Sequence, residues 1–232
     1  MLDKAQPLLK KGGHITLAYP PLRLQETLGE LESRANEWDT IAIVACGTSY
    51  HAGLVGKYLI EELVRIPCTL EVASEFRYRN PLVNERQLLV AVSQSGETAD
   101  TIAAVQEAQQ RGASVLTICN VVDSTLARMS DAPIYTFAGP EIGVASTKTF
   151  TAIIAALYML AIQLGRIRDR LDADRATGLM QELTRLPVRI ELALRLDPQI
   201  RDLAHRYADV SDFLFLGRGL NYPVALEGAL KL

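Results

Sequence analysis

Three observations predict an α/β protein built on a doubly wound parallel sheet flanked by helices. Short apolar runs of strand length alternate with segments of helical periodicity from Thr40 onward. The same order of apolar run, small hydroxyl-rich turn and helix occurs at 41–64 and 88–111, and a similar turn at 141–148 precedes a long apolar helix. In a parallel sheet such turns gather at the carboxyl ends of the strands, where these folds bind ligands.

Residues 1–38 read as a polar, helical lead-in with a Gly12-Gly13 hinge and a Pro20-Pro21 break. The sheet then follows as strands 41–45, 69–73, 88–92, 114–118 and 133–137, with helices at 50–64, 97–111 and near 124–129. A flavodoxin-like order 2-1-3-4-5 sets strand 41–45 beside strand 88–92. Helix 147–165 closes this domain, which is bounded at 39–168. A helical connector, 169–210, carries an amphipathic helix over 172–196 bent at Pro187 and a second over 198–208. Leu179, Leu183, Leu186, Ile190 and Leu194 recur at three- and four-residue steps, which packing explains. Residues 211–232 read as a strand at Phe213–Leu216, a Gly217-Arg218-Gly219 turn and a helix from Pro223. One strand and one helix cannot make their own sheet, so the expectation is the beginning of a second, truncated domain.

The chain has 232 residues, 49% hydrophobic and 22% charged, which suits a soluble globular protein with a sizeable core. A formal charge of −3 and a pI near 5.7 argue against nucleic acid as a partner. No signal-peptide core follows Met1, so a cytoplasmic location is expected. The longest apolar segment, Phe150 to Leu164, is short for a membrane span. Its uniform hydrophobicity suggests contact on several sides and makes a homodimer plausible. Cys46, Cys68 and Cys119 are widely spaced, and His14, His51 and His205 show no ligand spacing, so neither a disulfide framework nor a metal site is expected.

Ser93-Gln94-Ser95-Gly96-Glu97-Thr98 is the most informative stretch. Three hydroxyls, an amide and a glycine stand where a strand hands over to a helix. Unpaired N–H groups and the positive end of the helix dipole can hold a phosphate there without lysine or arginine. An ordinary helix cap fits the residues equally well, since Ser95 is a good N-cap residue and Glu97 and Asp100 suit a first turn. The strand order would bring Thr48 and Ser49 to the same place, so that two loops could grip one phosphate.

Five motifs then carry a family resemblance: Cys46–Gly53, Ala73–Arg79, Ser93–Thr101, Glu141–Lys148 and Ala225–Leu232. In this order they resemble the isomerase part of the glutamine:fructose-6-phosphate amidotransferase (glucosamine-6-phosphate synthase) family, over about residues 40–232. The resemblance implies sugar-isomerase (SIS) domains, the first at 39–168 and a second beginning at 211. It implies that Ser49, Ser93, Gln94, Ser95 and Thr98 hold the phosphate with Thr48 beside them, and that Val144, Ala145 and Ser146 line the sugar. It also implies that Lys231 forms an imine with the open-chain ketose, a role that needs some unprotonated amine. A Glu227–Lys231 pair on a helix surface, worth a few tenths of a kcal/mol, is the plainer alternative.

Departures from the family pattern shape the functional expectation. Leu2 stands where the family's glutaminase nucleophile would be, and the family's general base and ring-opening histidine fall beyond Leu232. The expected partners are fructose 6-phosphate or glucosamine 6-phosphate, bound with little or no turnover, without metal or organic cofactor. Two other readings stand beside this one: a free-standing sugar-phosphate-binding module, and a glutaminase-free aminosugar-phosphate isomerase or deaminase completed by another chain.

Overall fold

The computed structural model describes residues 27–143 and 146–232, so most of the lead-in lies outside the described residues. After a short helix α1 (Glu30–Arg34), five strands form one sheet: β1 (Thr40–Ala45), β2 (Cys68–Val72), β3 (Gln87–Ser93), β4 (Ser114–Cys119) and β5 (Ala132–Tyr135). All adjacent pairs are parallel, in the order β2-β1-β3-β4-β5. The chain leaves β1 toward β2, then returns to place β3 on the other side of β1. The strand order therefore reverses between β1 and β3.

Side chains alternate across this sheet with period two and feed two apolar layers. Ile41, Ile43, Leu88, Val90, Val92, Leu116 and Ile118 point into the larger layer, with α1, α2 (Gly47–Leu63), α6 (Lys148–Ile167) and α7 (Ala173–Thr184). Ala42, Val44, Leu89, Ala91 and Val115 point the other way, onto α3 (Ala73–Tyr78), α4 (Ala99–Gln110) and α5 (Thr125–Met129). Both sheet faces are covered, which is why β3 and β4 are buried at every position.

Among the described residues α6 is the one helix long and apolar enough to cross a membrane, yet just over half of it is buried inside the protein. It meets the sheet, α2 and α7 together. At its crossing with α2, a Cβ on Gly56 would come within 2.9 Å of Leu157. Close helix approach thus explains the uniform hydrophobicity of this segment.

Several sequence expectations shift. Helix α3 occupies 73–78, where only the end of a strand was expected. The 172–196 segment forms two helices, α7 and α8 (Leu186–Leu194), which meet at Arg185, just ahead of Pro187. Pro187 suits a first turn, because it lacks only an N–H that would have no partner there. Leu183 is buried, whereas Leu194 is 65% exposed, so packing explains the apolar stripe in α7 and not in α8. Helix α9 (Asp197–Arg206) likewise buries nothing. Phe213–Leu216 forms no strand, and Leu214 and Leu216 are exposed. A strand needs a ladder partner, and among the described residues this segment pairs with none. The final helix, α10 (Asn221–Lys231), is expected and present, and it packs on α2.

Candidate functional site

The carboxyl ends of β1 and β3 open into a cavity of about 430 Å³. Cys46, Thr48 and Ser49 line it from the β1–α2 turn, and Ser93, Gln94, Ser95 and Thr98 from the β3–α4 turn. Glu141, Ile142, Gly143 and Ser146 contribute from the segment before α6. No lysine or arginine lines it among the described residues. Neither Cys46 at the start of α2 nor Thr98 at the start of α4 caps its helix with a side chain. The first N–H groups of both helices therefore take no bond from their cap side chains, and both dipoles favour an anion there.

Internal bonds hold the β3–α4 turn open. Ser93 Oγ accepts the Gly96 N–H at 3.0 Å and lies 3.1 Å from Thr98 Oγ1, while Ser95 Oγ accepts the Glu97 N–H at 3.1 Å. Gly96 has φ +67°, and an added Cβ would sit 2.0 Å from Ser124 Oγ. Only glycine fits that position. Glu97 faces away and accepts the Thr125 N–H at 2.8 Å, a bond that holds its carboxyl below the usual range. The ordinary-cap alternative fails for Ser95, whose hydroxyl binds within the turn while Thr98 stands at the cap position.

The segment before α6 is tied down from two sides. Asn120, just past β4, donates to the Gly139 carbonyl at 2.8 Å and accepts from the Ala138 N–H at 2.7 Å. Glu141 accepts from Thr149 Oγ1 at 2.7 Å and from the Thr147 and Thr149 N–H groups at 3.1 and 3.2 Å. It thereby caps α6 from a distance. Burial works against its charge, but these hydrogen bonds prevail and hold the carboxyl below its ordinary range.

A second cluster adjoins the cavity at Thr48. Glu227 of α10 is 4% exposed, and its Oε1 accepts from Thr48 Oγ1 at 2.9 Å and Lys231 Nζ at 2.5 Å. Its Oε2 faces His51 Nδ1 at 2.7 Å. Lys231 Nζ also donates to Thr48 Oγ1 at 3.2 Å. Burial raises the Glu227 carboxyl, and the bonds from Lys231, His51 and Thr48 outweigh it, so the group stays below the ordinary glutamate range.

Of the residues singled out by sequence, the structure brings Thr48, Ser49, Ser93, Gln94, Ser95, Thr98 and Ser146 around one cavity. Lys231 stands beside it, joined through Thr48. Val144 and Ala145 lie outside the described residues. Glu227, Asn120 and the capping role of Glu141 were missed. The Glu227–Lys231 spacing was visible, but its burial was not. Among the described residues no His/Cys/Asp/Glu cluster could hold a metal ion.

Comparison with known proteins agrees with this geometry. The chain is 50% identical over 194 residues to glutamine–fructose-6-phosphate aminotransferase (isomerizing) of Caldanaerobacter subterraneus subsp. tengcongensis, covering 84% of this chain and 32% of that protein. It is 53% identical over 193 residues to the same enzyme of Pseudomonas putida, covering 83% and 32%. The chain thus spans about a third of the length of these curated relatives. Among solved structures, the C-terminal domain of glucosamine-fructose-6-phosphate aminotransferase from Francisella tularensis superposes with a TM-score of 0.84 at 38% identity, over 90% of this chain and 63% of that one. The SIS domain model matches residues 36–163, more than half of the chain and the whole of its sheet, and this chain belongs to the SIS domain family.

Proposed function

We propose that the cavity binds the phosphate of fructose 6-phosphate or glucosamine 6-phosphate. In this reading the chain is the sugar-phosphate-holding part of an enzyme that makes glucosamine 6-phosphate from fructose 6-phosphate and glutamine-derived ammonia. The observation that carries it is the meeting of Ser49, Ser93, Gln94, Ser95 and Thr98 at two helix N-termini that no side chain caps. Such a site neutralises a dianion with N–H and O–H donors alone. Ser146, which lines the cavity, would contact the sugar, the role that the resemblance also implies for Val144 and Ala145.

Lys231 remains the residue proposed for the imine: its Nζ stands beside the cavity, 2.5 Å from Glu227 Oε1 and 3.2 Å from Thr48 Oγ1. Proton transfer between C1 and C2 needs a base within reach of the carbon acid. Glu141, which lines the cavity, and Glu227, which adjoins it through Thr48, are both committed to other donors. This chain is accordingly proposed to bind without appreciable turnover. That property also fits a free-standing sugar-phosphate-binding module, although the aminotransferase relatives favour the first reading.

We further propose a cytoplasmic homodimer, with 211–232 beginning a second SIS unit. Exposed Leu192, Ile200, Leu203, Phe213 and Phe215 offer apolar surface for assembly. Sedimentation would read the oligomeric state directly. Calorimetric titration with fructose 6-phosphate, beside an assay for glucosamine 6-phosphate formation from fructose 6-phosphate and ammonia, tests the functional reading. Saturable binding without product supports it. A folded chain that binds neither sugar phosphate would overturn it.

A further inference from the structure

The Thr48 hydroxyl has one proton and two lone pairs. Its proton goes to Glu227 Oε1 at 2.9 Å, and one lone pair receives Lys231 Nζ at 3.2 Å. One lone pair remains, on an atom whose residue lines the cavity. Ser49 next to it differs, because no hydrogen bond of its side chain occurs among the described residues. Ser49 can donate to a phosphate oxygen, while Thr48 can only accept.

We propose that Glu227 is a positioning residue that makes Thr48 an acceptor-only reader of a ligand hydroxyl or ammonium group. The cavity then prefers a phosphorylated polyol or amino sugar over bare phosphate. The inference rests on the phosphate-cradle reading above and adds to it the element that distinguishes the sugar. Thr48 cannot readily turn its proton toward phosphate, since that would break a charge-assisted bond, about twice as strong as a neutral one, and strip a donor from a buried carboxylate. His51 completes the device from α2. Opposite a carboxylate its Nδ1 carries the proton and donates, which holds Oε2 in place and leaves Oε1 for Thr48 and Lys231.

The test compares inorganic phosphate with fructose 6-phosphate by calorimetry in the full chain and in Thr48→Val, Thr48→Ser, Glu227→Gln and the Thr48→Val/Glu227→Gln pair. Thr48→Val should lower the ratio of sugar-phosphate to phosphate affinity about fivefold, the worth of one neutral hydrogen bond. Thr48→Ser, which keeps the hydroxyl, should restore most of that ratio. Glu227→Gln should lower it too, and the double variant should be no worse than Thr48→Val, because both changes remove one coupled contact. A Thr48→Val variant that weakens both ligands by the same factor would make Thr48 a phosphate donor and overturn the proposal. An unchanged ratio, or additive losses in the double variant, would overturn it as well. A folded parent that binds neither ligand would instead remove the cradle reading on which the proposal rests.

Discussion

Replacing Gly96 with alanine should damage the cradle and the fold together. The backbone there has φ +67°, which costs an L-residue about 1 kcal/mol or a little more. The new Cβ would lie 2.0 Å from Ser124 Oγ and 2.5 Å from Ser124 Cβ, and Ser124 is itself 2% exposed. Overpacking of that kind typically costs about 1–3 kcal/mol. The sum, about 2–4 kcal/mol, corresponds to a fall in Tm of about 4–16 °C for a chain of this size. The Gly96 N–H to Ser93 bond and the Leu126 N–H to Gly96 carbonyl bond, both 3.0 Å, would shift with it. Fructose 6-phosphate affinity should therefore drop at least about tenfold, equivalent to 1.4 kcal/mol. Thermal unfolding and calorimetry read the two effects separately. Adding Ser124→Gly removes the overlapping atoms and should recover the steric share of the stability loss. A Gly96→Ala protein with an unchanged midpoint and unchanged affinity would refute both the crowding argument and the place of this turn in binding.

Three further outcomes are expected. Burial pushes the Cys68 thiol up to about 12 and the Cys119 thiol to about 11, whereas Cys46 lines the cavity, so iodoacetamide should label Cys46 first, and fructose 6-phosphate should slow that reaction as followed by mass spectrometry. Because the folded Glu227 carboxyl lies below its ordinary 4.5, its stabilising bonds are fully present above that pH and are lost as pH falls through the folded value; hydrogen exchange over 221–231 should accelerate in that acid window, and Glu227→Gln should flatten the response. Glu141→Ala removes the remote cap of α6 and should cost about 1 kcal/mol, a Tm decrease of about 2–4 °C, with weaker sugar-phosphate binding because Ser146 belongs to the same segment.

How much of this was legible in the sequence depended on the range of the interactions. Strands such as Leu88–Val92 declare themselves because both sheet faces are covered, and a continuous apolar run has few other destinations. The β3–α4 turn was legible because its Ser93, Ser95, Gly96 and Thr98 contacts all lie within five residues. Glu227 was not. Its partners Thr48 and His51 lie 179 and 176 residues away, and an i,i+4 Glu–Lys spacing looks the same on a solvent face as in a buried cluster. The 213–216 segment failed for a related reason. Its Phe-Leu-Phe-Leu composition suits a strand, but strand formation requires a partner ladder that the local sequence does not encode. Helix α3 was hidden because it spans only six residues, too few to show a helical period.

The central claim is that the cavity at the ends of β1 and β3 is a working phosphate cradle. Thermal unfolding with and without millimolar fructose 6-phosphate, in the parent and in a Ser93→Ala/Ser95→Ala variant, tests it most directly, since a ligand that binds only the folded state raises the midpoint. A working cradle gives a ligand-induced rise in the parent that is lost in the variant, each measured against its own ligand-free midpoint. The same rise in both proteins, or none in a folded parent, would contradict it.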